Sequence, residues 1–216
     1  VLPLLLLLAL QSVSRGEIVE ARLEARVDEG RDVAVRLVYR IRAPGADRVA
    51  FSALEIDGVA IEEVSAFVSE TPLPVELEPR SGPKREGSIG IPKDTTTFEL
   101  RYVVRGGAEP TEDGLRVRLP CAILDLEIEE TRPGLFSSRV ELPHGLSVVD
   151  GFPSSPAAEA EGVYRWELPL VPTFVAFRAS SGTVLLTSPR VATTAVVLLL
   201  VAMGFVGARR ARMSKP

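Results

Sequence analysis

His144 is the only histidine in the chain, and it lies between Pro143 and Gly145. Zinc sites draw on several His or Cys ligands at set spacings, and none of those spacings occurs here. A nucleophile–histidine pair would have to use His144, and no Gly-x-Ser-x-Gly elbow is present to hold a serine. His144 is therefore expected at an exposed turn. Cys121 is the only cysteine and follows Pro120. It has no partner for an intramolecular disulfide and is expected to behave as a small buried hydrophobe. Asp125, Glu127 and Glu129 alternate with Leu124, Leu126 and Ile128, which predicts three carboxylates in a row on one strand face. Oxygen ligands in a row could hold Ca²⁺. Carboxylates two residues apart on a strand, however, are ~6.5–7 Å apart, too far for one ion without loop ligands. The row is read as a solvated outer face. A pair of carboxylates of glycosidase type is the remaining acidic chemistry, and no two residues stand out for it. No catalytic, metal-binding or cofactor-binding residue is assigned, and no cofactor is expected.

Aromatic residues offer a second kind of chemistry. Phe136, Phe152, Tyr164, Trp166, Phe174 and Phe177 gather in the second half. A surface platform of rings could bind sugar or an extended peptide. Tyr164, Trp166 and Leu168 alternate with Arg165 and Glu167, so the rings are assigned to a core face instead.

The elements that must position these residues read as strands. In residues 17–28, Val19, Ala21, Leu23, Ala25 and Val27 face one way, and Glu20, Arg22, Glu24, Arg26 and Asp28 the other. A period of two over this length is a half-buried strand. A polar turn follows, and Val33, Val35, Leu37, Tyr39 and Ile41 alternate again. Pairing the two apolar faces sets Val27 opposite Val33 and Leu23 opposite Leu37. It also sets Glu24 opposite Arg36 and Glu20 opposite Arg40, and such opposite-charge pairs favour this register. Residues 48–56 and 59–68 flank Asp57-Gly58, which predicts a hairpin. A short strand is expected at 75–77, a loop rich in Pro, Gly and charge at 79–94, and a strand carrying Phe98, Leu100, Tyr102 and Val104. Residues 106–114, GGAEPTEDG, are the most linker-like stretch. Further strands are expected at 115–119, 123–129, 138–142, 146–149, 163–168, 174–178 and 183–186, with one helical turn at 157–161. The fold class is an all-β ectodomain of β-sandwich type plus one C-terminal transmembrane α-helix. Two sandwich modules, 15–108 and 109–189, are expected, with one larger sandwich as the alternative.

Both ends are apolar. Residues 1–14 read as a signal peptide with an h-region too short to span a bilayer, cleaved after Ser14. The residues 191–208 carry no charge, and Arg209, Arg210, Arg212 and Lys215 follow. At ~1.5 Å per residue this run matches a bilayer core, and the basic cluster places residues 209–216 in the cytoplasm. A transmembrane helix at 190–208 makes the lipid bilayer a partner. Gly204 and Ala208 have the small-xxx-small spacing of a helix-pairing face. All 29 acidic residues and 20 of the 25 basic ones fall between 15 and 189, a balance of −9, which argues against nucleic acid. The chain has no Asn, hence no glycosylation sequon, and only three Lys beside 22 Arg.

The charged opening hairpin, the run from Thr97 through Phe98, Leu100 and Tyr102 to Val104, the Leu142-Pro143-x-Gly145 strand end and the closing anchor resemble the ectodomains of uncharacterised bacterial predicted membrane proteins. That resemblance implies an envelope location, outside the cell membrane, and a non-enzymatic β ectodomain. The expected function is a non-catalytic interaction module, a subunit of a complex with another membrane or envelope protein. A carbohydrate- or peptide-binding domain is the alternative, and a hydrolase using acidic residues the remote one.

Overall fold

A computed structural model describes residues 16–181, apart from residues 28, 29, 44, 57, 81, 129 and 155. The signal peptide expected at 1–14, the strand at 183–186, the helix at 190–208 with Gly204 and Ala208, and the tail at 209–216 lie outside the described residues. No helix among the described residues is long and apolar enough to cross a membrane.

Every regular element described is a strand. The first half runs β1 (Glu17–Val27), β2 (Val33–Arg42), β3 (Arg48–Leu54), β4 (Ala60–Val68), β5 (Thr71–Leu73), β6 (Val75–Leu77), β7 (Lys84–Gly90) and β8 (Thr97–Arg105). The second half runs β9 (Ala108–Thr111), β10 (Gly114–Pro120), β11 (Ile123–Leu124), β12 (Phe136–Glu141), β13 (Ser147–Phe152), β14 (Ala157–Ala160), β15 (Val163–Leu168) and β16 (Phe174–Ser180). They form an eight-stranded sheet, β14-β15-β12-β1-β2-β8-β4-β5, and two four-stranded sheets, β13-β16-β10-β9 and β11-β3-β7-β6. One buried cluster joins the apolar faces of all three.

The opening hairpin has the expected register, with Val27 opposite Val33, Leu23 opposite Leu37, Glu24 opposite Arg36 and Glu20 opposite Arg40. Leu23 and Leu37 have no exposed surface. A bulge between Ile18 and Glu20 shifts the last pairs, so Ile18 enters the core where Val19 was expected. On its other side β1 pairs with β12 in parallel, from Ala21 opposite Phe136 to Arg26 opposite Glu141.

That parallel pair corrects the division into two modules at 108/109. Strands from both sides of the boundary share the large sheet and one core. The linker-like stretch 106–114 holds β9, which pairs with β10, and Ala108 is fully buried there.

Three more expectations give way for identifiable reasons. The turn at Gly58 joins β3 and β4, but the two strands lie in different sheets, so it is a crossover and not a hairpin. Turn chemistry reverses the chain locally and leaves the choice of pairing partner to the faces of the strands. The loop expected at 79–94 contains β7, which pairs with β3 along seven residues. A Cβ on Gly87 would lie 2.9 Å from the Phe51 ring, and one on Gly90 2.7 Å from Pro74. These glycines serve close packing inside a strand, a use that resembles a loop signal in sequence. Finally, residues 157–160 form β14 and not a helical turn, because pairing with β15 overrides the helix preference of alanine.

Candidate functional site

The outward residues of the large sheet form a continuous field of opposite charges. Strand alternation puts Glu20, Glu24 and Arg26 of β1, Arg36 and Arg40 of β2, and Glu99, Arg101 and Arg105 of β8 on this side. Arg36 lies 3.0 Å from Glu24 and also binds Glu99, while Arg40 lies 3.1 Å from Glu20. Glu99 is the hub. It is only 9% exposed, and it accepts from both Arg36 and Arg101. Burial pushes its carboxyl pKa up, and the two guanidinium hydrogen bonds together outweigh that and bring it below the usual range. Arg101 also reaches Glu70 at 3.1 Å and stacks 4.4 Å over the Phe67 ring. Toward the end of β8, Arg105 binds Asp32, Glu62 at 2.9 Å and Glu63 at 2.8 Å. The Arg105 hydrogen bond, helped by the Gly106 N–H, holds the Asp32 carboxyl below its ordinary range.

A groove of about 490 Å³ on this face is lined in part by Glu63 and Ser65 at a bulge in β4, where Glu63 has a positive φ of 54°. Ala34, Ser65 and Val103 line it, together with charged side chains that include Glu24, Arg36 and Arg101. The guanidinium and carboxylate groups of the hub are turned toward each other. Such an arrangement orients and rigidifies the sheet, and it offers no nucleophile paired with a base.

The inner face holds a second polar arrangement that the sequence did not point to. Tyr39 donates its hydroxyl to the Ala122 carbonyl, and Tyr102 donates to the Pro120 carbonyl at 2.7 Å. Two buried phenols from adjacent strands thereby clamp the segment that joins β10 to β11. Burial raises both phenol pKa values well above normal, so both remain neutral donors. Alternation marks these tyrosines as inward. Their acceptors lie 83 and 18 residues away along the chain and leave no sequence signal.

The residues singled out from sequence do not converge. His144 sits in a turn closed by Leu146 N–H on the Pro143 carbonyl. Its side chain is 88% exposed, 3.4 Å from Glu161. Cys121 is fully buried, and burial pushes its thiol pKa up, which keeps it protonated and inert. The acidic row does not form on one strand, because β11 ends at Leu124. Glu127 instead makes an isolated bridge with Glu17, and Glu129 lies outside the described residues. Among the aromatics, Phe136, Trp166 and Phe177 are core. Trp166 donates to the Pro153 carbonyl at 2.8 Å and packs 5.3 Å from Phe177. Phe152 is the exception. It is 57% exposed, 6.1 Å from Phe174.

No family model matches the chain, and no curated protein matches it significantly. Solved structures do resemble it. Native yeast LTA4 hydrolase superposes with a TM-score of 0.51 at 10% identity, over 77% of this chain and 29% of that one. An aminopeptidase N family protein from Idiomarina loihiensis gives 0.48 at 13% identity over 74% and 29%, and an M1 zinc metallopeptidase from Deinococcus radiodurans gives 0.42 at 14% over 77% and 42%. The last two scores are too low to carry an argument. The first shows a shared fold, and this chain spans less than a third of the yeast enzyme. That likeness, to part of a hydrolase, corrects the functional expectation of a non-catalytic envelope interaction module. The fold is one that occurs as a part of a hydrolase.

Proposed function

We propose that residues 16–181 are the β part of a larger hydrolase assembly, working beside a catalytic part that lies outside these residues. The observation that supports this reading is the overlap of 77% of the chain with less than a third of yeast LTA4 hydrolase. The described residues do not themselves fit zinc. Among them no three His, Cys, Asp or Glu side chains could share an ion. The exposed His144 lies 3.4 Å from Glu161, and the Cys121 thiol is sealed and protonated. No hydrolytic step is assigned to them. Their contribution is mechanical: the arginine–glutamate field outside and the tyrosine clamp inside make the large sheet a stiff platform.

The test is photo-crosslinking from several exposed positions of the full chain in its native cells, followed by assay of the crosslinked material. The reading expects a crosslinked polypeptide that hydrolyses model amide or ester substrates which the chain alone leaves intact. Crosslinked polypeptides with no hydrolytic activity would overturn it.

A further inference from the structure

Like charges that face each other across neighbouring strands destabilise a sheet. On the outer face of the large sheet, Arg139 of β12 stands directly opposite Arg165 of β15. Arg22 of β1 stands opposite Ser137, two residues before Arg139. Arg36 and Arg101 also oppose each other, and the nearly buried Glu99 binds both. The group around Arg139 is closed less well. Glu159, from the short edge strand β14, lies 3.2 Å from Arg139 and 3.4 Å from Arg165. Arg165 also meets Glu167 at 2.8 Å. Arg22 has Glu20 at 3.4 Å, but Glu20 lies nearer to Arg40, at 3.1 Å.

Arg22, Arg139 and Arg165 border a pocket of about 220 Å³. Ser137 lines it too, and strand alternation turns this side chain outward beside Arg22. Ser137 is nine-tenths buried, and among the described residues its hydroxyl has no hydrogen-bond partner. A buried hydroxyl left in this way is costly unless a further group bonds to it. The lining sets three arginines against two carboxylates, Glu24 and Glu159, and Glu24 is engaged by Arg36 at 3.0 Å. A basic excess therefore stands in a stretch whose overall balance is −9.

We propose that this pocket binds the phosphate group of a small phosphorylated molecule. Guanidinium forks donate pairs of N–H bonds to phosphate oxygens, and here the forks come from three adjacent strands. Arg139 meets Glu159 through Nε, so its terminal nitrogens can turn to the ligand. The Ser137 hydroxyl donates to one more oxygen. A tetrahedral phosphate meets donors on several sides at once, whereas a planar carboxylate offers only two oxygens. Glu159 holds the place of an anion between Arg139 and Arg165, and a bound phosphate competes with it for the same donors. The site does not depend on the hydrolase reading.

The test is equilibrium dialysis of the purified full chain against radiolabelled inorganic phosphate. Saturable binding of one phosphate per chain is expected, with displacement by glycerol phosphate. Arg22→Gln and Arg139→Gln should each weaken binding about tenfold, the loss that fits one charge-assisted bond. Ser137→Ala should weaken it severalfold, and Arg178→Gln, on another sheet, should leave it unchanged. Glu159→Gln removes the competing carboxylate and should tighten binding severalfold, a change that misfolding cannot produce. No saturable binding by the unsubstituted chain would overturn the proposal. So would equal losses for Arg178→Gln and Arg139→Gln, or weaker binding by Glu159→Gln. Phosphatidylglycerol vesicles separate the other source of phosphate. Binding to the vesicles with neither small phosphate bound would overturn the proposal, by assigning the arginines to a lipid surface.

Discussion

The two faces of the eight-stranded sheet are built from alternate residues of the same strands, yet they are held in different ways. Inside, Leu23, Leu37, Tyr39 and Leu100 have no exposed surface and are fixed by packing. Outside, Glu24, Arg36 and Arg101 keep more than a third of their side chains in water and are fixed by ion pairs. Burial of apolar area sets the stability, because exposed ion pairs contribute little in water. The outer pairs add register and stiffness. Glu99 is the one place where the faces grade into each other, being charged, outward and nearly buried.

Substitutions separate the two faces by size of effect. Phe136→Ala should cost about 3–5 kcal/mol and Leu23→Ala about 2–4 kcal/mol in denaturant melts, because both sites are sealed. Tyr39→Phe should cost about 1–2 kcal/mol, since it keeps the ring and leaves the Ala122 carbonyl unsatisfied. Glu24→Ala on the outer face should cost under about 1 kcal/mol. Comparable losses for Leu23→Ala and Glu24→Ala would break the contrast.

Glu99 sharpens it through pH. Its carboxyl pKa is lower in the folded chain than in the unfolded one. The folded state therefore releases its proton more readily, and the stabilisation is present above the unfolded carboxylate range. It is lost as the pH falls through the folded value. Glu99→Gln should flatten the acid limb of a stability–pH curve, from the ordinary carboxylate range downward. An unchanged acid limb would mean that Arg36 and Arg101 do not act on this group.

The same contrast explains what could be read in the sequence. The β1–β2 register was legible because both faces are patterned, with Leu23 and Leu37 on one side and Glu24 and Arg36 on the other. Strand β7 was hidden because Gly87 and Gly90 answer to Phe51 and Pro74 in space and not to a local preference. Strand β14 was hidden because its alanines favour a helix until β15 pairs with them. The parallel joint of β1 with β12 brings together segments over a hundred residues apart, and no local pattern records it. Of the outer field, the pairs Glu24–Arg36 and Glu20–Arg40 were visible from one hairpin. The hub at Glu99 needed the placement of β8 beside β2, and the tyrosine clamp needed a second sheet.

In the role proposed above, the described residues are a part of a hydrolase assembly that itself holds no metal. The most direct measurement is zinc content after equilibrium dialysis of the purified full chain, read alongside hydrolysis of aminoacyl-coumarin substrates. The account predicts well under one zinc per chain and no hydrolysis above the buffer rate. One tightly held zinc per chain, with hydrolysis that a chelator abolishes and zinc restores, would contradict it.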